Sequence, residues 1–318
     1  MPIIAAIAAG ALALTACAGG GGSTAPSTEN RTLSLANLQN LASFDTGQLD
    51  TGWQVYYWQP VYDTLLNYTP EGVVEPNLAT SFEYNEDNTV LTLTLREGIT
   101  FTDGEPFDAA AVKANIEHLQ QSTGVSVYMV AGVTDVVVLD DVTVEIHLDA
   151  PDPAFTYYLC LVAGAMASPA ALGTPEIAAV PVGSGPYVLD TGATITGSEY
   201  VFTRNEDYWN PDAFPYDTFI VKPMEDLTAR VNALKSGQVN GATADTTVIA
   251  EAEASNLQVG RNPISWRGLV LFDRDGEMVP ELADVRVRQA INYALDSEAI
   301  LENIFAGRAA RPRRSSTS

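Results

Sequence analysis

The sequence predicts an α/β protein, and three observations carry that prediction. Short runs alternate apolar with polar residues, the period of half-buried strands. Other runs place apolar residues at helical spacing behind an acidic cap. The chain has 318 residues and two cysteines, and at that length it can bury a core without a disulfide framework.

The elements follow in order. Residues 1–16 are small and apolar and end in Leu14-Thr15-Ala16 immediately before Cys17. That pattern is similar to a bacterial lipobox, in which the cysteine thiol takes a diacylglyceryl group and becomes the mature first residue. Residues 1–16 therefore read as a lipoprotein signal peptide and Cys17 as the lipidation site. The apolar run is too short to span a bilayer. Met1-Pro2-Ile3-Ile4 carries no positive charge, which leaves open an upstream start or a different signal with an incidental cysteine. Residues 17–30, rich in Gly, Ser, Thr and Pro, read as a flexible tether.

The run Thr80–Tyr84, the polar turn Asn85-Glu86-Asp87-Asn88, and Leu91, Leu93 and Leu95 alternating with Thr92 and Thr94 predict a β-hairpin. Asp103-Gly104 makes a second turn, and Asp108 caps a helix whose Val112, Ile116 and Leu119 share a face. A further hairpin covers Val136–Leu148 and turns at Asp140-Asp141. Val142, Val144, Ile146 and Leu148 point to one side of it, and Thr143, Glu145 and His147 to the other. Cys160, among Tyr157, Tyr158, Leu159 and Leu161, is expected to be a small buried hydrophobe.

Gly183-Ser184-Gly185-Pro186-Tyr187 predicts a tight turn leading into a strand. It lacks the third glycine of a dinucleotide fingerprint and the Lys-Ser/Thr of a P-loop. Asp226 caps a helix with Leu227, Val231 and Leu234 on one face and Gly237 at its end. Asp284 caps another, with Val287, Ile291 and Ala294 as its buried stripe, and Asp296 caps the next toward Ile304 and Phe305.

A net charge of −24 repels nucleic acid and anionic headgroups, so a nucleic-acid partner is excluded. The same charge either attracts cationic solutes or simply solvates the surface; composition leaves both open. No G-x-S-x-G, H-E-x-x-H, C-x-x-C or Walker A pattern occurs, and the two histidines, His118 and His147, sit on different elements. Catalytic residues, metal ligands and cofactors are therefore expected to be none. The remaining enzyme reading, a secreted glycosidase, has abundant acids but nothing that singles out a pair.

Several of these segments, in order, resemble the family 5 extracellular solute-binding proteins, the dipeptide- and oligopeptide-binding components of ABC importers. Within Asn77–Leu119, Leu95-Arg96-Glu97-Gly98-Ile99 and Phe101-Thr102-Asp103-Gly104-Glu105-Pro106 match the family's L-R-x-G-[IV]-x-F-x-D-G-x-P turn. Gly183–Tyr187 resembles its G-[TS]-G-P-Y, and Arg204-Asn205-Glu206-Asp207-Tyr208-Trp209 its R-N-x-x-Y-W. Residues 229–240 resemble A-R-x-x-A-L-x-x-G-x-[VI]-D, with Asn240 in place of the usual Asp. Residues 284–296 resemble D-x-R-V-R-Q-A-[LI]-x-x-A-[LIM]-D. Similarity runs over roughly residues 31 to 307.

The resemblance implies an α/β, periplasmic-binding-protein-like architecture (class II, cluster C), with two lobes, an inserted subdomain and an incomplete second lobe. Residues 31–52 and 183–263 would form the first lobe, with Thr32–Ala36 as an early strand. Residues 53–182 would form the inserted subdomain and 264–307 a partial second lobe. Tyr208 and Trp209 would pack between lobes. Family members continue well past this point, so 308–318, with Arg308, Arg311, Arg313 and Arg314, is expected to be a disordered or aberrant tail of a truncated or frameshifted product rather than a basic arm. A second lobe this short cannot cover its apolar faces.

The implied function is that of an extracytoplasmic lipoprotein, anchored to the bacterial cell membrane. It captures peptides or a similar small solute and delivers them to ABC permease subunits, as a monomer. Ligand contacts placed by the resemblance are Gln39, Asn40 and Leu41 after the first strand, Thr243, and Trp266. The acidic residue that meets the substrate amine in peptide binders has no counterpart here, so weakened solute binding is expected. The alternative of another class is a surface lipoprotein with a structural or adhesive role.

Overall fold

The computed structural model describes residues 31–260, 269–305 and 307. The signal peptide, Cys17, the tether, Trp266 and residues 308–318 lie outside them. The chain runs through β1 (Thr32–Asn37), α1 (Val55–Trp58), β2 (Leu66–Tyr68), β3 (Val74–Pro76), β4 (Ala79–Tyr84), β5 (Val90–Leu95) and α2 (Ala109–Gln121). It continues with β6 (Val133–Asp140), β7 (Thr143–Leu148), α3 (Phe155–Tyr158), β8 (Tyr187–Leu189), β9 (Tyr200–Arg204) and β10 (Thr218–Pro223). Then come α4 (Leu227–Lys235), β11 (Gly241–Ala242), α5 (Ile249–Ala254), α6 (Val285–Ala294) and α7 (Ser297–Asn303).

One sheet has the order β11-β1-β10-β9-β8. β1 is parallel to both of its neighbours, with Leu35 opposite Val221 of β10 and Gly241 of β11, while β9 and β8 follow antiparallel. Both faces of β1 are covered, as parallel strands require. Leu33 and Leu35 pack on the main core, and Ala36 packs on the other side with Ala233 of α4 and Val239.

The second sheet, β4-β5-β7-β6, is antiparallel throughout. The leucine alternation of β5 buries Leu91, Leu93 and Leu95, and β7 buries Val144, Ile146 and Leu148. Over these strands lies α2, with Val112, Ile116 and Leu119 buried and Asp108 accepting a hydrogen bond from the Ala111 N–H at 2.8 Å. Both expected hairpins form, and the added β5–β7 pairing joins them into one sheet. A short two-stranded ribbon, β2-β3, stands apart.

A single hydrophobic cluster runs beneath both larger sheets, and large rings bridge it. Tyr57, Trp58, Tyr62 and Phe44 are fully buried, and each polar tip is satisfied. Tyr62 donates to the Phe44 carbonyl at 2.8 Å, Trp58 to Asp50 at 2.9 Å and Tyr57 to Gln39 at 2.6 Å.

Residues 269–305 are different. Asp284 and Asp296 cap α6 and α7, accepting from Arg286 N and from Glu298 and Ala299 N. The stripe expected to be buried on α6 is not: Val287 and Ile291 are half-covered and Ala294 is exposed. Among the described residues the 3-10 turn Pro280–Ala283 packs against α6, and no second layer closes over its apolar side. Phe272 and Tyr293 accordingly keep 89% and 80% of their surface exposed. No helix among the described residues is long and apolar enough to cross a membrane.

Candidate functional site

In open α/β sheets, ligands bind beyond the carboxyl ends of parallel strands. Here those ends belong to β1, β10 and β11, and the loops that follow them are tied together. The Leu38 N–H donates to Thr243 Oγ1 at 3.1 Å and the Thr243 N–H to the Ala36 carbonyl at 3.0 Å. Asn37, buried at the end of β1, donates to the Gln39 and Trp53 carbonyls at 3.1 and 2.8 Å. The Met224 N–H beyond β10 donates to the Asn37 carbonyl at 2.7 Å.

Arg230 of α4 holds the same edge from behind. Its buried guanidinium donates to the carbonyls of Thr243, Met224 and Glu225. The fork of an arginine suits such a spread of acceptors. The sequence placed Arg230 inside a motif without assigning it a role.

The structure thus brings Gln39, Asn40 and Thr243 to one edge. Gln39 and Asn40 are exposed. The Asn40 carboxamide is oriented: Oδ1 accepts from Tyr200 Oη at 3.0 Å and from the Leu41 N–H at 2.9 Å. Leu41 is buried in the core, so its side chain is a packing group. Asn240 Oδ1 accepts from the Ser34 N–H at 2.8 Å, a neutral tie to β1 that needs no carboxylate.

A second constellation went unrecognised in the sequence. Asp63 is buried, and its carboxylate accepts from Tyr208 Oη at 3.0 Å, Trp209 Nε1 at 3.1 Å and Ser184 Oγ at 3.3 Å. Burial pushes its pKa up to about 6, and the hydrogen bonds from Trp209, Tyr208, Ser184 and Asn77 oppose that rise. The Arg96 guanidinium lies 4.1 Å from the centre of the Trp209 ring and donates to the Asn77 carbonyl. Tyr208 and Trp209 therefore act through their polar atoms as well as their rings. Both carboxylate oxygens are engaged, and the group is an anchor rather than an acid–base catalyst.

Gly183 and Gly185 stand beside this anchor for a reason other than turn geometry, since neither has a positive φ. A Cβ on Gly183 would lie 1.9 Å from the Val61 carbonyl oxygen, and one on Gly185 2.7 Å from that of Pro60. Only glycine lets the two backbones touch.

His118 bonds Asp45, 73 residues earlier, at 2.6 Å, and His147 bonds Glu145 on the same strand at 3.0 Å; each is a simple pair. Among the described residues no group of three or more His, Cys, Asp or Glu could hold a metal ion. Cys160 is buried, and burial pushes its thiol up to about 12, which suits a packing residue. Shallow hollows of about 230 Å³ beside His118 and about 440 Å³ beside Tyr84 are lined by none of the candidate residues.

Residues 73–315 match the model of the bacterial extracellular solute-binding proteins, family 5 Middle. The chain belongs to that family. Family 5 proteins are solute-binding components rather than enzymes, and this assignment agrees with the mixed α/β architecture. The glutathione-binding protein GsiB of Escherichia coli is 32% identical over 256 residues, covering 77% of this chain and 48% of the relative. NikA from Brucella suis, solved in complex with Fe(III)-EDTA, superposes with a TM-score of 0.70 at 27% identity, over 87% of this chain and 56% of that one. DppA from Helicobacter pylori, solved with the peptide STSA, shares the fold at a TM-score of 0.66 and 21% identity, over 87% and 59%. The family 5 chain described here thus spans about half the length of the curated relatives it matches.

Proposed function

We propose that this protein captures peptides, or a similar small solute, outside the cell and delivers them to the permease of an ABC importer. One observation carries the reading: in a family 5 chain, Gln39, Asn40 and Thr243 gather at the carboxyl ends of parallel strands. Asn40 offers its amide nitrogen to carbonyl or carboxylate acceptors on the solute, because Tyr200 and Leu41 already use its oxygen. Thr243 holds the loop in place and Gln39 reaches solvent; Trp266 stays a candidate contact on the family resemblance alone. Residues 31–52 and 183–263 act as one lobe, 53–182 as an inserted subdomain and 264–307 as part of a second lobe. The protein works as a monomer.

A glutathione-sized peptide is the first solute to test, given the relative named for glutathione binding. Calorimetry of the chain against glutathione and a di- and tripeptide panel is expected to show saturable binding that Asn40→Ala weakens. A folded chain that binds no member of the panel overturns the reading.

Cys17 carries the lipid that holds the protein at the membrane. Palmitate labelling in a bacterial host is expected to depend on Cys17, with Cys17→Ser released in soluble form. Unchanged membrane retention of Cys17→Ser would sink that part.

A further inference from the structure

Four tyrosines from three separate segments lie ring to ring. Tyr68 of β2 meets Tyr157 of α3 edge-on, with centroids 4.9 Å apart. Tyr157 is 6.4 Å from Tyr158, and Tyr158 meets Tyr128, from the 3-10 turn Val127–Val130, at 5.9 Å and 88°. The buried Phe155 abuts Tyr158 at 6.5 Å. Tyr128, Tyr68 and Tyr157 nevertheless keep 58%, 46% and 40% of their surface exposed. Single exposed apolar residues are ordinary; a contiguous series with its rings fixed against one another marks a recognition surface.

An acid joins this surface. Ser126 Oγ donates to the Leu49 carbonyl at 2.8 Å in the interior. A Cβ on Gly124 would lie 2.1 Å from the Gly47 carbonyl oxygen. The chain leading into Tyr128 therefore lies against the chain leading into Asp50. Burial first, then Tyr158 and Tyr157, then the Asp50 carboxylate hold the Tyr128 hydroxyl above its ordinary pKa.

Among the described residues no cation stacks on these rings. Among the described residues the one cation–π contact is Arg96 over Trp209. Lys113, Arg204, Lys222 and Lys235 are in ion pairs with acids elsewhere. Tyrosine faces carry negative potential and attract cations, and a nearby carboxylate strengthens the attraction. A surface meant for neutral solutes would gain nothing from Asp50.

We propose that Tyr68, Tyr128, Tyr157 and Tyr158, together with Asp50, form a binding surface for the cationic head of a solute, an ammonium or guanidinium group. This rests on the reading of the protein as a solute carrier and adds the charge class of what it carries. Asp50 lies nine residues beyond Leu41, so the stretch from Gln39 to Asp50 contributes to both regions.

The probe is choline, compared with its uncharged carbon isostere 3,3-dimethylbutan-1-ol, titrated into the full chain by calorimetry and tyrosine fluorescence. Choline is expected to saturate, with the isostere about tenfold weaker. Tyr128→Ala and Tyr157→Ala should each weaken choline about fivefold, whereas Tyr128→Phe, which keeps the ring, should bind as the parent does. Asp50→Asn should weaken choline and leave the isostere unchanged. Failure of choline to saturate, equal affinity for the isostere, or alanine variants that fold and bind choline normally overturns the proposal. Peptide binding in the same preparations separates the two readings. A chain that binds peptides but not choline defeats this inference alone. One that binds choline through these rings but no peptide supports it and defeats the peptide assignment.

Discussion

Tyr208 donates its hydroxyl to Asp63 Oδ1 at 3.0 Å, joining two segments 145 residues apart in sequence. Around that bond, signature segments that are remote in the chain converge. Ser184 comes from the Gly-Ser-Gly-Pro-Tyr run and Trp209 from the Tyr-Trp pair, while Arg96, stacked on Trp209, comes from the turn after β5. These family signatures thus meet at one buried carboxylate.

Removing that carboxylate strands the buried donors. Asp63→Ala is expected to cost roughly 3–5 kcal/mol in urea unfolding, since each orphaned donor keeps its desolvation penalty. Asp63→Asn, which retains an acceptor oxygen, should lose less.

Asp63 also gives a signed pH dependence. Its folded pKa of about 6 lies above the unfolded value of 3.8. The folded state therefore binds the proton more tightly, and this group's contribution to stability is fully present below pH 4 and is lost as pH rises through 6. A shift of this size corresponds to about 3 kcal/mol. Parent stability measured from pH 4 to 7 should fall relative to Asp63→Asn; parallel curves would refute the assignment.

Gly183→Ala should destabilise by roughly 2–3 kcal/mol, because the new methyl would lie 1.9 Å from the Val61 carbonyl oxygen and one backbone must move. Thermal unfolding is the direct measurement. An unchanged melting temperature would mean the two backbones separate freely.

Arg230→Ala leaves the carbonyls of Thr243, Met224 and Glu225 without their donor. A loss of roughly 2–4 kcal/mol is expected. Arg230→Lys should recover only part, since one ammonium cannot reproduce the fork. Hydrogen exchange at Leu38 and Thr243 would report the loosening locally.

Cys160, with its thiol pushed up to about 12, should resist alkylation at pH 8 in the folded protein and react on unfolding in urea. The measurement is cleanest in Cys17→Ser, where Cys160 is the sole thiol.

Local periodicity reads well where the contacts are local. The Leu91, Leu93, Leu95 alternation produced a strand, and Asp108, Asp226, Asp284 and Asp296 each cap the helix they precede. The rest depends on partners far away. Nothing in Thr32–Asn37 announces parallel neighbours at Thr218 and Gly241. Asp63 is one acid in an apolar stretch until Ser184, Tyr208 and Trp209 surround it. The turn before β8 was legible at Gly183–Pro186, but the reason for Gly183 was not, because a sequence shows that a side chain is missing and not what would collide with it. The α6 stripe failed at Ala294 because periodicity marks an apolar side without supplying the layer that covers it.

The placement of β1 sets a schedule for assembly. Its two hydrogen-bonded neighbours, β10 and β11, are made much later in the chain, from Thr218 and from Gly241. A ribosome or translocation channel would release β1 long before either partner emerges, and non-local pairing of this kind is slow to form. The nascent polypeptide therefore cannot close this sheet until Gly241 has emerged, a condition that suits threading across a membrane first.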